Sequence, residues 1–143
     1  MSQSCHSYLN CCLYFTANSL SRTITEMAKE EFSTVGIDPS YAHLLSLLCE
    51  KPGLSQNELA DALNLKPSTI TRFLDKLQQK GLIERITKGR SSLIFPSQTG
   101  LEKGEEARKA LSNLFERYCK VLGKDFAVKL TADIDKATLA LEK

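Results

Sequence analysis

The chain contains no tryptophan, four prolines, two methionines and two histidines, His6 and His43. With so few histidines and no CxxC pair, a zinc ribbon is not supported. Cys5, His6, Cys11 and Cys12 could offer metal ligands, but no second histidine cluster joins them. No glycine-rich phosphate loop or metal motif appears, so no residue pattern points to catalysis. A cysteine hydrolase would need a histidine and an orienting carboxamide beside Cys11 or Cys12; His43 could be imagined as that histidine, with no further motif to support it. The longest apolar runs, such as residues 41–49, are broken by polar residues and fall far short of the roughly 20 a membrane span needs. No basic stretch followed by an apolar one opens the chain, which speaks against a secretory signal and for a cytoplasmic protein. The cysteines are odd in number (Cys5, Cys11, Cys12, Cys49 and Cys119), which argues against a disulfide scaffold and for mostly free thiols. No enzyme, cofactor, metal or membrane partner is expected.

What is present is ordinary in bulk and informative in arrangement. At 143 residues and 42% hydrophobic content, the chain is one compact domain or two closely fused halves. The net charge is only +2, but it is unevenly spread. Residues 1–65 carry three basic and seven acidic side chains. Residues 66–90 carry seven basic ones (Lys66, Arg72, Lys76, Lys80, Arg85, Lys88 and Arg90) against Asp75 and Glu84, a local net of +5. Residues 91–143 are nearly balanced. Attraction to phosphate is the expected consequence of the middle segment, with a solvated helix face as the plainer alternative.

Apolar residues at Leu9, Leu13, Ala17, Leu20, Ile24, Met27 and Ala28 have helical spacing and predict a first helix over residues 8–32 with one buried stripe. Asp38 and Pro39 then read as N-cap and first-turn residue of a second helix that buries Leu44, Leu45, Leu47 and Leu48. Ser55 and Glu58 have capping-box spacing, so a third helix starts near Gln56. A fourth runs from Pro67 to Lys80 and stops at Gly81. Residues 82–86 and 92–95 predict two short strands around Lys88, Gly89 and Arg90. Thr99 and Glu102 repeat the capping-box spacing ahead of a long fifth helix with a stripe of Ala107, Ala110, Leu111, Leu114, Phe115, Tyr118, Val121 and Leu122. Gly123 breaks it, and a last helix carries Leu130, Ile134, Ala137 and Leu141. Cys49 and Cys119 fall on apolar stripes and read as core.

Residues 55–90 therefore read as a helix-turn-helix followed by a basic hairpin. Ala60 is small enough for two helices to cross there. Asn64 tolerates the left-handed backbone a tight turn needs. Leu63, Leu65, Ile70, Leu74 and Leu77 are the expected anchors, leaving Ser68, Thr69, Arg72 and Lys76 outward. Positions 68, 72 and 76 share one helix face. Such a helix suits a DNA major groove, where Arg72 could make a bidentate contact to guanine. Pro67 fixes the helix start, where free N–H groups favour a phosphate. An arginine at the hairpin tip, Arg90, could enter a minor groove. The expected DNA-contacting residues are Ser55, Gln56, Pro67, Ser68, Thr69, Thr71, Arg72, Lys76, Lys88, Arg90 and Ser91. The alternative for such a lobe is a winged module for protein–protein contacts without DNA binding.

The segment GLSQNELADALNLKPSTITRFLDKLQQKGLIER, with helices before and after it, resembles the MarR family of bacterial transcriptional regulators over nearly the whole chain. The resemblance implies a mainly α fold with a small β-wing: a winged helix-turn-helix DNA-binding lobe at residues 37–98 and dimerisation helices at 1–35 and 100–143. It implies a homodimer whose lobes bind a palindromic double-stranded DNA operator, usually as a repressor, with a cleft between lobe and base where small molecules act. One departure stands out. The family wing often carries Asp-x-Arg-Arg in a longer loop, whereas this tip is Thr-Lys-Gly-Arg-Ser-Ser. Arg90 can stand for the wing arginine, without the aspartate that often braces it.

A cysteine in the first helix is similar to the peroxide-sensing branch of that family, in which the thiolate lies close to tyrosines of the partner subunit. Cys11, Cys12 and Tyr41 are the matching positions here. Adjacent cysteines cannot face one side of a helix, so one of the pair at most would sense an oxidant. The alternatives are a non-covalent small-molecule effector in the cleft, and cysteines that are simply small core residues. The zinc-sensing members place histidines on the fifth helix, and this chain has none there.

Overall fold

Side-chain caps set the starts of three of the six α-helices among the described residues. The computed structural model describes residues 8–142, so Cys5 and His6, named above as thiol and metal-ligand candidates, lie outside the described residues. A short 3-10 turn (Tyr8–Cys11) leads into α1 (Leu13–Glu31), whose N-cap is Cys12. In α2 (Pro39–Glu50) the Asp38 side chain accepts from the Ser40 N–H at 2.9 Å and from its hydroxyl at 2.7 Å. These two bonds, side chain first, hold the Asp38 carboxyl below its ordinary value. Ser55 and Glu58 make both halves of a capping box at the start of α3 (Gln56–Leu63). The helix α4 (Pro67–Gln79) begins with Pro67 in its first turn.

The expected cap of α5 is displaced. α5 (Gln98–Leu122) is capped by Ser97, whose hydroxyl oxygen accepts from the Gly100 N–H at 3.0 Å, and Thr99 lies inside the helix. Ser97 also donates to the Gly81 carbonyl at 2.6 Å, so one hydroxyl ties the helix start to the end of α4. The last helix, α6 (Lys124–Leu141), follows Gly123.

The sheet has three antiparallel strands in the order β1-β3-β2. β2 (Ile83–Lys88) and β3 (Ser91–Pro96) are longer than their apolar cores suggested, pairing from Ile83↔Pro96 out to Lys88↔Ser91. That register leaves Gly89 and Arg90 as a two-residue turn. Gly89 has φ +60°, as a hairpin turn with glycine in first place requires. β1 (Leu54–Ser55) pairs with β3 and was not anticipated, because two residues carry no readable alternation.

The core belongs to the lobe. Leu44, Leu45, Leu48, Leu59, Ile70, Leu74, Leu77 and Ile94 are fully buried, each contributing about 1.5–3 kcal/mol. Leu47 and Leu63 are only partly buried at its edge. The first turns of α5 join this core. A Cβ on Gly100 would lie 1.9 Å from the Leu82 carbonyl oxygen, and one on Gly104 would lie 2.6 Å from Cys49 Sγ. The start of α5 is therefore packed tightly against the lobe.

The terminal helices behave oppositely. Of the apolar stripe expected on α1 only Ala28 is buried, and Leu13 is 67% exposed. Val121, at the end of α5, is 80% exposed, and α6 buries Ala127 alone. Phe126, Val128, Ile134, Leu139 and Leu141 all face outward. Arg117 of α5 ties these helices together, pairing with Glu30 at 3.1 Å and Glu31 at 3.0 Å on α1.

The close approach at Gly100 is testable. Gly100→Ala should destabilise the protein by about 1–3 kcal/mol in urea unfolding, since the obstacle is a backbone carbonyl. Gly104→Ala should cost less, because the Cys49 thiol can rotate away. Equal losses would mean that the Leu82 contact is not the tighter constraint.

Candidate nucleic-acid interface

The turn between α3 and α4 is built as its sequence suggests. Asn64 adopts the left-handed conformation (φ 56°, ψ 45°), and its N–H returns to carbonyls of α3. Ala60 is buried at the crossing. The Asn64 side chain also donates to Glu142, at the end of α6. Leu65, expected as an anchor, is instead 38% exposed: it sits on the outside of the turn while its backbone N–H bonds to the Ala60 carbonyl at 3.0 Å.

Helix α4 presents three faces. Ile70, Leu74 and Leu77 are buried in the lobe. Ser68, Arg72 and Lys76, four residues apart, are exposed on the opposite side, with Thr69 half-buried beside them. Thr71 and Asp75 form a flank between the two. Here the structure distinguishes residues that the sequence grouped together. Gln56 donates to the Thr71 hydroxyl at 2.9 Å, and that hydroxyl donates to the Pro67 carbonyl at 3.0 Å. Ser55 is engaged by the Glu58 N–H. Gln56 and Thr71 are thus tied into the joint between α3 and α4 and Ser55 into the cap of α3, whereas Ser68, Arg72 and Lys76 are presented outward.

The positive charges divide in the same way. Arg85 pairs with Asp75 at 2.9 Å and donates to the Thr71 carbonyl at 3.4 Å. Among the described residues, Lys66, Arg72, Lys76, Lys80, Lys88 and Arg90 have no ion-pair partner. Lys88, Gly89, Arg90 and Ser91 are all exposed at the hairpin tip. The segment's excess of positive charge is therefore carried by α4, its flanking turns and the wing. Such a surface attracts a polyanion, and the first turn of α4 adds N–H groups beside Pro67. Sequence alone gave no sign that Arg85 differs from the other cations, because its partner lies ten residues away on another element.

The candidate sensing residues lie elsewhere. Cys12, Cys49 and Cys119 are the free cysteines among the described residues, all half-buried, whereas Cys11 is disulfide-bonded. Cys11 thus departs from the expectation of a free thiol, and Cys12 is the thiol left at the start of α1. Burial pushes the Cys49 thiol up, with Glu105 adding to the effect, so it stays protonated and packs beside Gly104. Tyr41 lies in the first turn of α2, after the far end of α1, so one chain does not bring it to Cys12. Its ring meets Phe73 of α4 edge-on, with centroids 4.8 Å apart. Near it, His43, Ser46, Leu47, Leu63, Leu65 and Phe73 help line an open pocket of about 610 Å³ between α2 and the helix-turn-helix. Among the described residues no cluster could hold a metal ion, and no helix is long and apolar enough to cross a membrane.

Comparison with known proteins agrees with this geometry. The family model of the MarR family matches residues 37–90. The HTH-type transcriptional repressor MdtR of Bacillus subtilis (strain 168) is 27% identical over 137 residues, covering 92% of this chain and 88% of that protein. A riboflavin kinase of Thermococcus kodakarensis is 42% identical over 60 residues, so the match covers 42% of this chain and only 28% of that protein's length. Among solved structures, the transcriptional repressor CouR bound to a 23-mer DNA duplex superposes with a TM-score of 0.84 at 23% identity, over 98% of this chain and 99% of that one. CouR bound to p-coumaroyl-CoA gives the same TM-score and identity, over 96% and 98%. At that identity the likeness concerns the fold: a winged helix-turn-helix lobe carried on long terminal helices. The family model thus matches most of the lobe, and the fold is shared from end to end with these solved structures, so the chain is similar to MarR-family regulators.

Proposed function

We propose that the protein is a sequence-specific transcriptional regulator that binds a palindromic double-stranded DNA operator as a homodimer, most simply as a repressor. The observation that carries this reading is the set of exposed cations that have no ion-pair partner among the described residues: Arg72 and Lys76 on α4, Lys88 and Arg90 on the wing. Arg72 reads a base edge, Lys76 and Lys88 hold phosphates, and Arg90 lies along the minor groove. Ser68, Thr69 and Pro67 approach the backbone at the helix start, and Ser91 supports the wing tip. CouR, which shares this fold and is bound to a 23-mer DNA duplex, supports a DNA-binding reading.

The uncovered apolar surface of α1, α6 and the end of α5 supports the homodimer. A chain of this size does not leave that much apolar surface to water, and a two-fold partner buries it symmetrically. The signal enters at the junction between lobe and base. Oxidation of the Cys12 thiol adds bulk and polarity there. Tyr41 of the other subunit is its neighbour in this reading, and the Tyr41–Phe73 contact carries the displacement to the recognition helix. The pocket beside Phe73 favours a second reading, in which a non-covalent small molecule shifts the same helix.

Arg72→Ala should weaken operator binding by roughly 1–3 kcal/mol and relax base choice, while Arg90→Ala should lower the salt slope by about 0.9 with little change in base preference. Binding isotherms on selected genomic fragments at several salt concentrations test both, and unchanged specificity in Arg72→Ala would refute the placement of α4. For the dimer, Val121→Glu should leave a folded chain that sediments as a monomer, since the site is already open to water in one subunit. For the switch, organic hydroperoxide should release operator from the parent protein but not from Cys12→Ser. Equal release by both would favour the small-molecule reading.

A further inference from the structure

We infer that Arg85 is a positioning residue: with Asp75, Thr71 and Gln56 it forms a polar strut that fixes the wing against the recognition helix, and it makes no phosphate contact. The inference rests on the DNA-binding reading and moves Gln56 and Thr71 from the expected DNA contacts to the strut.

The strut crosses three elements. Gln56, in the first turn of α3, donates to the Thr71 hydroxyl at 2.9 Å, and that hydroxyl continues to the Pro67 carbonyl at 3.0 Å. From β2, Arg85 sends Nη2 to the Thr71 carbonyl at 3.4 Å and Nη1 to Asp75 Oδ1 at 2.9 Å. Thr71 and Asp75 are four residues apart, so one side of α4 receives contacts from both neighbours. The Arg85 side chain is 22% exposed, and its Nε is buried without a hydrogen-bond partner. A guanidinium seeking phosphate extends into solvent, as those of Arg72 and Arg90 are free to do. This one folds back onto the lobe and leaves a nitrogen dry, which costs free energy unless the fixed geometry offsets it.

The geometric need is plain. β2 follows α4 after only Lys80, Gly81 and Leu82, and the hairpin beyond it is a two-stranded ribbon for most of its length. Such a ribbon is marginal alone. At its root it is held by buried Leu82 and Ile83, which set its position but resist twisting weakly. A planar guanidinium gripping two points on α4 supplies the missing orientation. The angle between α4 and the wing then determines whether major- and minor-groove contacts can form together.

Charge makes the idea falsifiable. Removing the negative charge of Asp75 beside a polyanion should tighten DNA binding if only long-range electrostatics matters. The strut predicts the opposite. The test uses a duplex recovered with the parent protein by genomic-fragment selection, with Asp75→Asn, Arg85→Lys, Arg85→Ala and Lys88→Ala measured across a salt series. Asp75→Asn and both Arg85 variants should each weaken binding by about fivefold without altering the salt slope. Lys88→Ala, a phosphate contact in this reading, should lower the slope by about 0.9. Tighter or unchanged binding by Asp75→Asn overturns the inference. So does a slope that falls by about 0.9 in Arg85→Ala and is restored in Arg85→Lys, the signature of a phosphate contact.

Backbone amide exchange in the free proteins provides a second readout. Residues 83–96 should exchange faster in Asp75→Asn than in the parent, while α2 and α5 stay protected. Unchanged exchange in the hairpin overturns the strut even if DNA affinity falls. A parent protein that selects no duplex would refute the DNA-binding reading itself, and the exchange comparison would still decide whether the strut exists.

Discussion

The approach of α5 to the lobe at Gly100 is the constraint on which the remaining architecture depends. The helix starts against the Leu82 carbonyl, with no room for a side chain, and continues past Cys49 with Gly104 facing it. Ser97 caps it and holds the end of α4 at the same time. A helix rooted so closely has few directions available. α5 is 25 residues long, about 37 Å, so a tilt of about 10° at its root would displace its far end by about 6 Å. Two half-sites on one face of DNA are about 34 Å apart, and a dimer whose lobes swing by that much cannot fill both. In the proposed dimer, the small residues at 100 and 104 serve operator geometry as well as packing.

The same economy governs α4. One face is core, one face is presented outward, and the flank between them is secured by contacts from α3 and β2. Of the seven cations in the basic segment, Arg85 is held by Asp75 and has a structural task available to it, while the others have no ion-pair partner among the described residues. Net charge alone overstates the number of groups free to meet phosphate, because it counts a cation equally whether it points outward or folds back onto the lobe.

What was legible in the sequence followed local chemistry. Asp38 with Pro39, Ser55 with Glu58, and Asn64 at the turn act within a few residues of themselves, so their roles could be read directly. The face carrying Ser68, Arg72 and Lys76 followed from helical spacing. The failures were tertiary or competitive. Thr99 and Ser97 both offered a hydroxyl to the start of α5, and Ser97 won because it also reaches Gly81. Leu65 is apolar but lies outside the turn, beyond the last position periodicity can assign. β1 is too short for a pattern, and the Arg85–Asp75 pair joins a strand to a helix across ten residues. Cys11 and Cys12 looked equivalent in sequence, yet one is bonded and the other free.

The contrast between lobe and terminal helices explains why a signal would act at their junction. The lobe has a complete apolar core, so a perturbation inside it must break packing worth several kcal/mol. The faces of α1 and α6 are unsatisfied within one chain, and their final packing depends on what covers them. Tyr41 and Phe73 meet within the lobe: Tyr41 is half-buried at the start of α2 and Phe73 half-buried on α4, both at the edge of its core. A small displacement of Tyr41 reaches α4 through a single ring contact, without disturbing Leu44, Leu45 or Leu48 behind it. Whether the displacing agent is an oxidised thiol or a small molecule beside His43 and Phe73, the energy required is that of shifting one aromatic pair, on the order of 1 kcal/mol. A shift of that size changes occupancy severalfold while leaving the fold intact, as a reversible regulator requires.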